Sequence, residues 1–279
     1  METAIIIIAS LFVLFIAYIF LLARPRVSMN RHFRETQKEL FTDYAHRGLH
    51  GNGVPENSLA AFRLAVENGH GIELDVQLSA DGKVMIFHDD TLKRMTGCDK
   101  LLSELTAAEL RELRLAGTDE KIPYFTEVLE LVDGKIPILV ELKGENLDTS
   151  ICKATNEILK DYKGPYCVES FNPVLVRWYK RHVKHVMRGL LVTKMTKDIE
   201  KHKKGYFFLR SMMLNCMSRP DFIAYDVRYP GFGLDLCTKF FGATPYAWTI
   251  RNEDHYYKAR EYGAFVIFEH IKPNPDDLN

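Results

Sequence analysis

His46, Arg47 and Gly48 follow directly on Tyr44-Ala45; after them come Pro55-Glu56-Asn57, then Glu73-Leu74-Asp75-Val76, then His88-Asp89. A single His-Arg or Glu-x-Asp pair is commonly a surface hydrogen-bonding pair. This series, each part beside a strand-like run able to hold it rigid, has instead the components of a metal-dependent phosphodiester site. Glu73 and Asp75, two apart on a strand, project from one face, and Glu141 ends a later apolar run with Lys143 two residues on. Three carboxylates and water make a hard oxygen site, suited to one Mg²⁺ or Ca²⁺ ion rather than to zinc, which recruits nitrogen and sulfur. Such an ion would offset the charge of a phosphodiester, Arg47 would clamp a non-bridging oxygen through its planar fork, and Lys143 would add a point charge. Histidine exchanges protons near neutral pH, so His46 and His88 are the candidates for general base and general acid. Glu56 is placed to orient Arg47 or to join the metal shell. Gly48 permits a sharp turn or a close backbone approach. The turn and cap before the next helix fall to Asn57, with Ser58 the alternative cap.

Elements must hold these groups in place. From Thr42 onward short apolar runs alternate with amphipathic stretches, the pattern of parallel strands joined by helical crossovers. Strands are expected at 42–46, 71–76, 136–142, 165–170, 186–192, 222–226, 244–249 and 264–268, and helices at 58–68, 148–160, 173–182 and 253–262. Eight strands close a (β/α)₈ TIM barrel, whose catalytic groups sit at the C-terminal strand ends. His46-Arg47, Glu73 with Asp75, Glu141 with Lys143, Glu169 and Trp248 all fall there. Between the second and third barrel strands the connection runs to about 60 residues, too long for an ordinary βα unit. It opens as a hairpin turning at Ser79-Ala80-Asp81-Gly82. A turn centred between Asp81 and Gly82 would set His88 opposite Asp75. The rest, 92–131, is expected to be a small helical insertion.

The chain has 279 residues, enough for one barrel and an appendage. Lys+Arg and Asp+Glu both number 37, so no bulk basic excess points to nucleic acid, and no basic stripe with interleaved aromatics is present. The appendage is the uncharged run 4–23, long enough at about 1.5 Å per residue to span the hydrocarbon core as one transmembrane helix. A cleaved signal peptide is the rival, but Met1-Glu2-Thr3 lacks the expected basic residue and the run exceeds an ordinary signal core. Arg24, Arg26, Arg31, Arg34 and Lys38 follow the run, which places the catalytic domain on the cytoplasmic side. Residues 24–40 then form a juxtamembrane connector and 41–272 the barrel. Five cysteines without paired spacing read as free thiols. The stretch 206–214, with Lys201, Lys203 and Lys204 before it, is either a membrane-dipping segment or a crossover helix.

In its motifs the chain resembles the glycerophosphodiester phosphodiesterase family. The resemblance is carried by His46-Arg47-Gly48, Pro55-Glu56-Asn57-Ser58, Glu73-Leu74-Asp75-Val76, His88-Asp89, Glu141-Leu142-Lys143, Ser170-Phe171 and Trp248-Thr249. It implies a TIM barrel with an insertion after the second strand and hydrolysis of glycerophosphodiesters to an alcohol and sn-glycerol 3-phosphate. It further implies His46 and His88 as the acid/base pair, Arg47 and Lys143 at the phosphate, and Glu73, Asp75 and Glu141 as metal ligands. Phe171 and Trp248 would wall the glycerol pocket. One departure is Phe268-Glu269, where many members carry Thr-Asp. Two other readings use the same barrel: a lysophospholipase D acting on membrane lysophospholipids, and an inactive barrel serving as a membrane-bound binding module.

Overall fold

The computed structural model describes residues 2–193 and 212–274. Eight parallel strands close a barrel: β1 (Tyr44–Ala45), β2 (Gly71–Leu78), β4 (Ile138–Leu142), β5 (Tyr166–Ser170), β6 (Met187–Val192), β7 (Phe222–Asp226), β8 (Thr244–Ile250) and β9 (Phe265–Phe268). The pairing of β1 with both β2 and β9 seals it. β3 (Val84–Ile86) lies antiparallel on β2 as the hairpin arm.

Each strand alternates between two environments, because successive side chains point to opposite faces. Ile72, Leu74 and Val76 pack outward with Val140, Val168 and Val266 against the surrounding helices. Leu139, Cys167, Met187, Leu191, Phe222, Tyr246 and Ile267 fill the barrel interior. Continuing the inward alternation toward the C-terminal ends brings Glu73, Asp75, Glu141, Glu169, Trp248 and Glu269 onto the inner face. Register reinforces this, with Asp75 beside Glu141 and Glu141 beside Glu169 on neighbouring strands.

The helices Leu59–Glu67, Ser150–Leu159, Pro173–His182 and Glu253–Glu261 occupy the expected crossovers. The insertion is smaller than the sequence suggested. Its own core joins Met85, Phe87, Leu92, Leu102, Leu110 and Ile122. The helix Phe125–Val132 belongs to the barrel's outer layer, since Phe125, Val128, Leu129 and Val132 bury there.

The hairpin register also differs from expectation. Val76 pairs with Ile86 and Leu78 with Val84, so Phe87, not His88, lies opposite Asp75. A three-residue loop causes the shift: Ser79 N–H donates to the Lys83 carbonyl, and Gly82, at φ 74°, closes the turn onto Ser79. His88 reaches the barrel mouth from the segment beyond β3, where Gln77 Nε2 donates to the carbonyls of Phe87, His88 and Asp89.

At the N-terminus the helix Glu2–Ala17 continues in wider turns through Tyr18–Ala23. This span has a mean hydropathy of 3.1 and is long and apolar enough to cross a membrane, a property signal sequences share. The following helix, Val27–Thr36, and the turn Lys38–Leu40 underlie the barrel. Phe33 and Leu40 are fully buried in its lower core, and the Leu40 carbonyl accepts the hydroxyls of Tyr44 and Tyr246. The five cysteines are free thiols. Most of 206–214 and its preceding lysines lie outside the described residues.

Candidate active site

A cleft of about 410 Å³ opens at the C-terminal strand ends, lined among others by His46, Arg47, Glu73, His88, Glu141, Phe171 and Trp248. Asp75, Lys143 and Glu56 contact its lining residues Arg47 and Glu141. Glu73, Asp75 and Glu141 are buried, and one oxygen of each lies within 4.8 Å of the others. Burial pushes the Glu73 carboxyl well above the usual range, and neighbouring Asp75 pushes it further. Burial also raises Glu141 and Glu169, with Lys143 opposing. Burial works on Asp75 in the same direction, but Lys143, His88 and Arg47 together hold it below the ordinary value. Asp75 Oδ1 and Glu169 Oε2 are buried without hydrogen-bond partners. A buried set of carboxylate oxygens with unspent lone pairs suits a hard divalent cation.

Cations frame the acidic group. Lys143 Nζ lies 3.0 Å from Glu141 and 3.4 Å from Asp75. Arg47 adopts φ 55°, which folds its backbone N–H onto Glu73 Oε2 at 3.0 Å, while its guanidinium meets Glu56 at 2.7 Å and Asp75 at 3.6 Å. The adjacent Gly48 has φ 80°, and a Cβ there would sit 2.9 Å from Ala61, so the turn requires glycine twice over. Glu56 also receives both guanidinium ends of Arg94 at 2.6 and 3.0 Å, and Arg94 donates to Asp89 at 2.6 Å. Asp89 in turn holds His88 Nδ1 at 2.7 Å. One continuous set of charged hydrogen bonds thus runs from His88 to Arg47 and locks the insertion to the barrel rim.

His46 Nδ1 faces Glu269 Oε2 at 3.3 Å. Burial lowers the His46 pKa to about 4 against the opposing pull of Glu269, so the ring is neutral at pH 7. With its Nδ1 proton held by Glu269, the lone pair lies on Nε2. Phe171 and Trp248 meet edge to face at 5.6 Å on the cleft wall, and the buried Trp248 Nε1 has no hydrogen-bond partner.

Three residues have roles that the sequence does not reveal. Asn57 does not cap the helix; Ser58 does, accepting Ala61 N–H at 3.1 Å. Asn57, at φ 54°, instead donates from Nδ2 to Asp75 Oδ2 at 2.9 Å. Glu269, a departure that the sequence ties to the pocket rim, is here the partner of His46, a role its position at the end of the last strand does not announce. Arg94 lies inside the insertion, where no strand period signals a functional side chain.

Barrel, paired histidines and clustered carboxylates define a phosphodiesterase-type TIM-barrel enzyme fold. Residues 46–270 match the glycerophosphoryl diester phosphodiesterase family, and the chain belongs to it. A glycerophosphodiester phosphodiesterase of Caldanaerobacter subterraneus is 35% identical over 162 residues, covering 53% of this chain and 65% of that protein. A human lysophospholipase D is 33% identical over 144 residues, covering 47% of this chain and 45% of its own length. Among solved structures, an Oleispira antarctica phosphodiesterase in complex with sn-glycerol-3-phosphate superposes with a TM-score of 0.68 at 28% identity, covering 85% of this chain and 93% of that one.

Proposed function

We propose that this protein hydrolyses glycerophosphodiesters to an alcohol and sn-glycerol 3-phosphate. The observation that carries the reading is the convergence of His46 and His88 on one cleft whose floor holds Glu73 and Glu141 beside Asp75. The product held by the Oleispira antarctica enzyme fits the same chemistry. Glu73, Asp75 and Glu141 would hold one Mg²⁺ or Ca²⁺ ion, which when bound supplies charge neutralisation at the phosphate. Arg47, fixed by Glu56, and Lys143 bind the non-bridging oxygens. His46, kept neutral by burial, accepts the proton of the attacking hydroxyl at Nε2. His88, braced by Asp89, gives a proton to the departing alkoxide. The same pair serves water or the substrate's own 2-hydroxyl as nucleophile. Phe171 and Trp248 pack against the glycerol.

The N-terminal helix supports a second reading, lysophospholipase D activity on membrane lysophospholipids, in keeping with the human relative's name. In both readings 4–23 is a single-pass anchor, 24–40 its connector and 41–272 the barrel, facing the cytoplasm because the basic flank follows the helix.

The test uses the full chain in detergent micelles with Mg²⁺ or Ca²⁺, following sn-glycerol 3-phosphate from glycerophosphocholine and lysophosphatidic acid from lysophosphatidylcholine. Release from the soluble diester, abolished by EDTA and reduced at least about 100-fold in His46→Ala and His88→Ala, is expected. Turnover of the lysolipid alone would select the second reading, and silence on both would favour a binding module.

A further inference from the structure

His46, His50 and His270 surround the carboxylate of Glu269. Glu269 Oε2 lies 3.3 Å from His46 Nδ1, and its Oε1 lies 3.6 Å from His50 Nε2 and 3.1 Å from His270 Nε2. Glu269 already has a cationic partner in Arg251, at 2.8 Å and half exposed. Three imidazoles beyond that exceed what charge pairing asks of one carboxylate. His50 Nε2 is buried, at a side-chain exposure of 10%, and makes no hydrogen bond. One ligand atom from each of His46, His50 and Glu269 falls within 4.8 Å of the others. A tetrahedral zinc ion with bonds of about 2.1 Å separates its ligands by about 3.4 Å, close to the 3.3 and 3.6 Å from Glu269 to His46 and His50. Gly51, at φ 119°, lets His270 close over the group, since a Cβ there would meet that ring at 3.2 Å.

We propose that His46, His50 and Glu269 form a second cation site, with His270 at its rim, for a borderline transition ion such as Zn²⁺. The two sites sort cations by hardness: the acidic group offers only oxygen, whereas this one offers imidazole nitrogen. Occupancy acts on the proposed hydrolysis, and in this respect it rests on that reading. A cation on Nδ1 of His46 confines the ring's one proton to Nε2, the atom that must accept a proton from the nucleophile. Zinc therefore stops the reaction without displacing the Mg²⁺ or Ca²⁺ beside it.

The full chain in detergent micelles, with Mg²⁺ in large excess, is titrated with Zn²⁺ against a colorimetric chelator and, separately, with Co²⁺ followed by its visible absorption. One equivalent binds despite the Mg²⁺, and His50→Asn weakens binding at least about tenfold. Inhibition of diester turnover by zinc, referred to each protein's own zinc-free rate, weakens in parallel. Zinc binding displaced by excess Mg²⁺, absent altogether, or unchanged in both His50→Asn and His270→Asn would overturn the proposal. The binding measurements need no turnover, so they stand even if the diesterase reading fails.

Discussion

At the scale of single residues, the carboxylate that most needs explaining is Asp75, fully buried yet held ionised. Asn57 contributes by donating to Asp75 Oδ2, and it does so from a left-handed backbone that asparagine tolerates better than alanine. With Asp75 as a metal ligand, as proposed, removing the partner that orients it is expected to cost about 10–100-fold in metal affinity. Asn57→Ala is therefore expected to weaken Mg²⁺ or Ca²⁺ binding by that factor in calorimetric titration, whereas Ser58→Ala loses the helix cap and the bond to the Pro55 carbonyl but no contact to a carboxylate, and should leave affinity nearly unchanged. The sequence marked Asn57 as a turn residue, but its partner lies 18 positions on and is reached only through the positive φ. The raised carboxyls give a second prediction. Glu73, Glu141 and Glu169 bind protons more tightly folded than unfolded, so without metal their contribution to stability is full in acid and is lost as pH rises above about 4.5 through their raised values. Asp75 stays ionised throughout. A bound cation relieves the repulsion that grows along that path. Adding Mg²⁺ or Ca²⁺ over EDTA should thus raise the melting temperature more at pH 8 than at pH 5, and equal shifts in scanning fluorimetry would count against a cation at this group.

Among the elements, the strands were legible because each alternates apolar residues of two kinds, one set for the helical layer and one for the barrel interior. β7 and the helix Pro173–His182 appear where the pattern placed them, and the other strands differ only at their ends. The hairpin register was not legible, since Ala80-Asp81-Gly82 serves a two- or three-residue loop equally well, and Gly82 decides between them only through its φ. The interior shows the limits of pattern from another side. Gly189 sits on β6 where alternation calls for an inward side chain, and a Cβ there would overlap the ring of fully buried Phe222. The glycine is a packing partner of that phenylalanine. Gly189→Ala is expected to destabilise the protein by about 1–3 kcal/mol in urea unfolding, through overpacking. Gly189→Ala combined with Phe222→Leu should recover part of the loss, because the two positions share one volume.

For the whole molecule, the apolar helix is tied to the end of the barrel opposite the cleft. Arg26 forms two 2.6 Å bonds to Asp221, just before β7, and donates to the Lys184 carbonyl. Arg219 donates to the carbonyls of Arg24 and Leu21, and Asn215 to that of Ala23. None of this could be read from the sequence, where Arg24 and Arg26 look like equivalent members of a basic flank. They differ because Arg26 alone answers a buried carboxylate. Burial raises Asp221 and Arg26 pulls it back, helped by the Arg188 charge and by the Arg188 backbone N–H, which donates to Asp221 Oδ2 at 3.0 Å. Breaking a buried pair from one side costs about 3 kcal/mol or more, which for a protein of this size lowers the melting temperature by roughly 6–12 °C. Arg26→Ala should show that drop in detergent. Arg24→Ala, whose exposed side chain leaves the carbonyl bond to Arg219 intact, should change it little. Both substitutions remove one positive charge from the same flank, so any effect on membrane orientation would be shared. A difference in thermal stability isolates the joint between helix and barrel, and equal melting temperatures would mean that the helix does not depend on Arg26 for its seat.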